Sequence, residues 1–215
     1  MKYEAIIFDL DGVICHTDKY HYLAWKQLTD KLNIYFDEQI NNRLRGVSRA
    51  ESFEIILERS ERAFSSVEKT SFLEEKNEIY KKMLEDMTPD DVDPEVISTL
   101  NRLKESGILL GIGSSSKNAK FILRKIGLDN FFDAVSDGVG LAKTKPDPEV
   151  FLKCADMLKI EPVSCLVVED AVVGVEAAIA ASMDCAAVGD AAQQGIANYD
   201  LKGFGELVSV VNGAS

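Results

Sequence analysis

Two carboxylates stand at i and i+2 in Phe8-Asp9-Leu10-Asp11-Gly12, where a short apolar run gives out. An Asp carboxylate is ionised at neutral pH and can attack phosphorus without a base to activate it. A second carboxylate beside it holds a proton more easily, because like charges raise one of the two pKa values, and can pass that proton on. Asp9 is therefore the candidate nucleophile and Asp11 the candidate general acid and base, although Asp and Gly also build ordinary turns. A second acidic pair, Glu169-Asp170, ends the run Val167-Val168. Capping of the helix expected over 171–181 could account for one of that pair but not for all four acids. Four acids meeting at one place repel unless a cation lies among them, and hard oxygen donors with room for water and phosphate suit Mg²⁺.

Two further stretches have residue types that suit a phosphate. Gly113-Ser114-Ser115-Ser116-Lys117-Asn118 is a hydroxyl-rich turn leading into a helix, where backbone N–H groups, hydroxyls and a lysine can seat an anion. Ser and Asn also start helices for purely structural reasons. Lys143-Thr144-Lys145-Pro146-Asp147-Pro148 offers two lysines that could neutralise phosphoryl oxygens as charge develops. Lys145 is the better candidate, because Pro146 restricts its backbone.

These residues need a scaffold that brings strand ends together. The runs Ala5 to Phe8, Ile108 to Ile112, Cys165 to Val168 and Cys185 to Val188 read as buried strands, with a weaker fifth around Ala134-Val135. Helical stretches separate them; Asp93-Pro94 and Asp147-Pro148 each set a capping Asp before a Pro suited to the first helical position. Such alternation predicts an α/β fold, a Rossmann-like and mostly parallel sheet with helices on both faces. Ligands bind such sheets outside the carboxyl ends of their strands. From Asp18 to Met87 the pattern is helical only, with capping boxes at Ser48/Glu51 and Ser65/Glu68. About 70 residues far exceeds an ordinary βα loop, so residues 18–87 are expected to form an inserted helical cap domain on a catalytic core of 1–17 and 88–215.

The 215 residues are 46% hydrophobic and carry a net charge of -12. That balance speaks for a globular protein and against nucleic acid or an anionic membrane as partner. Phosphate must then be met by local cations. The four cysteines show no CxxC spacing, and three lie in apolar stretches where a buried thiol is common. No signal peptide or membrane span is expected; we read a cytoplasmic protein, acting as a monomer on small sugar phosphates.

In this order, Asp9-Leu-Asp-Gly-Val, Ser114, Lys145-Pro and Glu169-Asp170 resemble the motif set of the haloacid dehalogenase superfamily. Finer matches resemble its β-phosphoglucomutase branch: Thr17, Tyr20-His21, Ala24-Trp25-Lys26, Arg45-Gly46-Val47-Ser48-Arg49, Lys76-Asn77 and Ser116-Lys117-Asn118. The resemblance implies an aspartyl-phosphate enzyme interconverting β-glucose 1-phosphate and glucose 6-phosphate through β-glucose 1,6-bisphosphate. It implies catalytic roles for Asp9, Asp11, Thr17, His21, Ser114 and Lys145, with Mg²⁺ held by Asp9, Glu169, Asp170 and the backbone carbonyl of Asp11. It further implies that Arg49, Ser116, Lys117 and Asn118 hold the distal phosphate, and that Gly46, Val47, Trp25, Ser52, Lys76 and Ser115 complete the substrate site. Trp25 suits the cap core as well as a sugar platform; at i and i+4, it shares a helix face with His21. His16 stands where the family carries Asp, and no role is assigned to it. A phosphatase of the same superfamily is the rival activity, and a silent phosphosugar-binding protein would not need Asp9 and Asp11 together.

Overall fold

The computed structural model of the protein describes residues 2–45 and 47–213. Chain order begins with β1 (Ala5–Phe8), followed by four helices: α1 (Asp18–Leu32), α2 (Glu38–Asn42), α3 (Arg49–Leu57) and α4 (Ser66–Leu84). Then come α5 (Pro94–Glu105), β2 (Leu109–Gly113), α6 (Ala119–Lys125), β3 (Ala134–Ser136), α7 (Glu149–Leu158) and β4 (Cys165–Glu169). The chain closes with α8 (Val172–Ala180), β5 (Asp184–Ala187), β6 (Tyr199–Asp200) and α9 (Leu207–Val211).

The six strands form one parallel sheet in the order β3-β2-β1-β4-β5-β6. The expected α/β class is thus the observed one. Five strands lie within a residue of their expected ends, while β6 was not expected: it is a Tyr-Asp pair without an apolar run. Ala5 and Ile7 pack with one face's cluster, Ile6 and Phe8 with the other's, so both faces of β1 are covered and its whole sequence is apolar. Helices α7 and α8 cover the first face, α5, α6 and α9 the second. The helical layer has a cluster of its own around Trp25, Leu28, Ile40, Phe53 and Ile56.

Both capping boxes form: Ser48 and Ser65 each accept from the backbone of, and are reached by the carboxylate of, Glu51 and Glu68. Asp93 caps α5 ahead of Pro94 as expected. At α7 the helix starts one residue later than expected, with Pro148 in the cap position, and Asp147 Oδ1 still accepts from Glu149 N at 3.1 Å. Helix α8 is shorter than 171–181 and has no side-chain cap, because the acids before it turn elsewhere. All four cysteines are free and buried. No helix among the described residues is long and apolar enough to cross a membrane.

Register decides where chemistry can gather. Phe8 lies opposite Ile112 of β2 and Val168 of β4, so Asp9, Ser114 and Glu169 leave the sheet at one edge. The chain crosses to β2 on one side of β1 and to β4 on the other, which makes this edge the switch point where such sheets form crevices.

Candidate active site

Asp9 is held at the end of β1 by its N–H, which donates to the Val168 carbonyl at 2.9 Å. The chain then turns sharply at Gly12, whose φ of +92° suits glycine. A Cβ at Gly12 would also lie 2.3 Å from Asp170 Oδ2, and one at Gly174 would lie 1.9 Å from Glu169 Oε1. Two glycines therefore admit two carboxylates. Asp9, Glu169 and Asp170 each bring a carboxylate oxygen within 4.8 Å of the others. Lys145 Nζ sits 2.5 Å from both Asp9 Oδ1 and Glu169 Oε1, and Glu169 Oε2 accepts from the N–H groups of Asp170 and Ala171.

The electrostatics follow from that crowding. Burial pushes the Asp9 carboxyl well above the usual carboxylate range; Lys145 works against this, and the charges on Glu169 and Asp11 add to it. Asp170 is raised by burial and by Glu169 and Asp9. Burial disfavours the Lys145 ammonium, but Asp9 and Glu169 more than offset it. Largely buried, cradled and mutually repelling, this all-oxygen donor set fits a hard divalent cation.

Asp11 accepts from the Thr17 hydroxyl, and burial raises its carboxyl to about 6 against that bond. Lys145 lies buried among the acids, whereas Lys143 is exposed and pairs with Asp147 at 3.1 Å. Past β2, the Ser114 and Ser116 hydroxyls accept from Ser116 N and Asn118 N, closing two tight turns ahead of α6. Asn118, at the N-cap position of α6, makes no side-chain cap; its side-chain N–H donates to Asn77 Oδ1 at 2.9 Å instead.

The helical layer supplies the facing wall. Arg49, at the first turn of α3, is half-buried and donates to the Leu73 carbonyl at 3.2 Å. Lys76 is buried, its Nζ 3.0 Å from His21 Nδ1 and over the rings of Trp25 and Tyr80. Burial, then the Arg49 charge, brings the Lys76 ammonium down to about 7. Burial with Lys76 and Arg49 holds His21 well below its ordinary value, so a neutral imidazole accepts from the ammonium. Among the described residues neither Arg49 nor Lys76 forms a salt bridge.

A cavity of about 440 Å³ runs between the walls and, among the described residues, is lined by every candidate named above except Thr17 and Lys143. Thr17 is fully buried beneath Asp11; Gly46 lies outside the described residues. Trp25 belongs to both readings offered for it, stacked on Phe53 with centroids 5.8 Å apart in the helical core and touching the cavity. Val47 and Ser52 line the same wall, and Ser115 and Lys117 line the other. Tyr80 was missed. It lines the cavity against His21, ring centroids 4.1 Å apart, and its spacing of four from Lys76 on α4 was the available signal.

Known proteins are similar to this chain over most of its length. The sequence pattern described as haloacid dehalogenase-like hydrolase matches residues 3–182. The β-phosphoglucomutase of Bacillus subtilis is 42% identical over 188 residues, covering 86% of this chain and 83% of that protein. The fructose-1-phosphate phosphatase of Escherichia coli is 31% identical, covering 85% and 95%. The crystal structure of a β-phosphoglucomutase from Clostridium difficile superposes with a TM-score of 0.93 at 37% identity, over 99% of this chain and 96% of that one. Since the matched stretch takes in the acidic ends of both β1 and β4 with the loops between them, the chain belongs to the haloacid dehalogenase-like hydrolase family.

Proposed function

We propose that the chain is a phosphosugar mutase that interconverts β-glucose 1-phosphate and glucose 6-phosphate. The observation that carries this reading is the pair of cationic groups on opposite walls of one cavity. Lys145 stands at the Asp9 end, and Arg49 and Lys76, without carboxylate partners among the described residues, stand on the helical side. A substrate that must bear phosphate at both ends, and bind in either orientation, requires two seats; hydrolysis of a monophosphate requires one. The 42% identity to a β-phosphoglucomutase supports the same reading.

In this mechanism an Asp9 oxygen attacks the phosphorus held by Ser114 and Lys145. The bond to the sugar oxygen breaks, and Asp11 gives that oxygen its proton. In the return half-reaction Asp11 takes the proton of the attacking sugar hydroxyl and the acyl phosphate on Asp9 is cleaved. The donor in each cycle is β-glucose 1,6-bisphosphate. Thr17 orients Asp11 through its hydroxyl, and His21 holds Lys76. Arg49 grips the distal phosphate, aided by Ser116, Lys117 and Asn118. Residues 18–87 act as a cap over the core of 1–17 and 88–215, excluding water so that the phosphoenzyme waits for a hydroxyl. Asp9, Glu169, Asp170 and the Asp11 carbonyl would hold Mg²⁺, which supplies positive charge against the phosphoryl oxygens.

A sugar phosphate phosphatase is the second reading, favoured by the 31% identity to a fructose-1-phosphate phosphatase. The deciding experiment supplies β-glucose 1-phosphate, Mg²⁺ and a trace of bisphosphate, and scores glucose 6-phosphate against free phosphate. A mutase gives mainly glucose 6-phosphate; predominant free phosphate overturns the proposal in favour of the phosphatase.

A further inference from the structure

Among the described residues, three side-chain hydrogen bonds join residues 18–87 to the core: Arg45 to Asp190, Asn118 to Asn77, and Thr144 to Glu51. The third has a particular position. Thr144 immediately precedes Lys145, whose ammonium stands at the Asp9 end. Glu51 follows Arg49 by two residues on the first turn of α3 and precedes Ser52 on the same wall. This bond alone of the three ties the loop of Lys145 to the helix start of Arg49.

Both ends of the bond are stiff. Glu51 Oε2, which accepts from Thr144 Oγ1 at 2.6 Å, also accepts from Ser48 N at 3.0 Å and Ser48 Oγ at 2.7 Å. The capping box thereby fixes the carboxylate on α3. On the other side the Glu149 carboxylate accepts from Ala142 N at 3.0 Å and Lys143 N at 2.7 Å, and Asp147 N donates to the Thr144 carbonyl at 3.0 Å. The Lys145 loop cannot shift freely beneath the hydroxyl.

We infer that Thr144 and Glu51 are positioning residues that set the separation of the two phosphate seats. The inference rests on the mutase reading, in which one molecule with a phosphate at each end must meet Lys145 and Arg49 together. Neither residue touches the reacting atoms. Their hydrogen bond acts through Arg49, by holding the start of α3 in register with the loop that carries Lys145. A donor with a single phosphate, such as acetyl phosphate, needs only the Asp9 end and gains nothing from that register.

Thr144→Val tests this, because it keeps the shape, deletes the hydroxyl and leaves the Ser48–Glu51 box intact; Thr144→Ser restores the hydroxyl. The bond lies in a shallow surface pocket beside the cavity and Glu51 is exposed, so the expected loss is modest. Thr144→Val should raise KM for β-glucose 1-phosphate by about fivefold and raise the ratio of free phosphate to glucose 6-phosphate. Its rate of phosphoenzyme formation from acetyl phosphate should match the wild-type rate, and Thr144→Ser should recover the sugar phosphate KM. In an Arg49→Ala background Thr144→Val should cost nothing further, since the residue through which it acts is gone. An unchanged KM, an equal fall in acetyl phosphate labelling, or full additivity with Arg49→Ala would each overturn the assignment. If wild-type protein releases only free phosphate, the mutase reading fails, while the split between sugar phosphate KM and acetyl phosphate labelling still decides whether Thr144 positions Arg49.

Discussion

The two walls of the cavity solve opposite electrostatic problems. On the core side two buried carboxylates and a half-buried third crowd together around one ammonium, with Lys145 bridging two of them. On the helical side Arg49 and, below about pH 7, the Lys76 ammonium face the space, bonded among the described residues to a backbone carbonyl and an imidazole. The core wall holds excess negative charge that calls for a cation, and the helical wall holds positive charge left over for an anion. In a chain of net charge -12, cations kept apart from carboxylates mark where a phosphate can be held against the overall field.

Removing the Asp9 carboxylate, the proposed nucleophile, is the strongest way to test the core wall. Asp9→Asn should lower turnover and acetyl phosphate labelling by about 10⁴-fold or more, with an unchanged circular dichroism spectrum; covalent phosphate on the variant would refute the assignment. Arg49→Ala tests the helical wall. It should weaken sugar phosphate and bisphosphate binding by about 3 kcal/mol and leave labelling by acetyl phosphate at the wild-type rate. Unaltered affinity would remove Arg49 from the distal phosphate seat.

Lys76 sharpens the comparison through pH. Its ammonium loses its proton near 7 in the folded chain against an ordinary 10.5, so between those values the unfolded chain holds the extra proton and stability rises with pH. Below about pH 7 the full cost of the buried charge is present. Lys76→Met should therefore be more stable than wild type by about 2 kcal/mol near pH 6, and urea melts near pH 9 should show a smaller gap. A gap that is constant with pH would mean that the lysine is not strained by burial. The smallest effect belongs to Tyr80→Phe. The buried Tyr80 hydroxyl makes no hydrogen bond of good geometry among the described residues, although the Thr17 hydroxyl is close enough to act on it, so its loss should change stability by no more than about 1 kcal/mol in the same melts. A clear destabilisation would reveal a bond to a neighbour.

The contrast also explains what could be read from the sequence. Strands β1, β2, β4 and β5 announce themselves because both faces are covered and the runs are apolar but for Glu169 at the end of β4 and Asp184 at the start of β5. The acidic pairs at Asp9 and Glu169 stand directly after such runs, so their meeting at one edge followed from parallel order. Strand β6 carries no such signal. It is held by long-range contacts, the Tyr199 hydroxyl accepting from Lys2 and Tyr3 across the sheet. The helical wall was legible only in part: capping boxes located α3 and α4, but that Tyr80 meets His21 depends on how α4 lies against α1. The Thr144–Glu51 bond joins residues 93 apart in sequence, and no local pattern encodes it.

The four buried thiols have a practical consequence. Cys15 lies in the turn after β1, Cys165 and Cys185 lie on adjacent strands, and Cys154 faces the sheet from α7. Burial also raises each thiol above its ordinary ionisation range, so a thiol reagent in native buffer reacts only when the fold opens. The protein thus contains its own unfolding clock, with one hand at the turn after β1, two inside the sheet and one on the helix against it. Mass spectrometry of the alkylated chain would show whether the turn after β1 loosens before the sheet does.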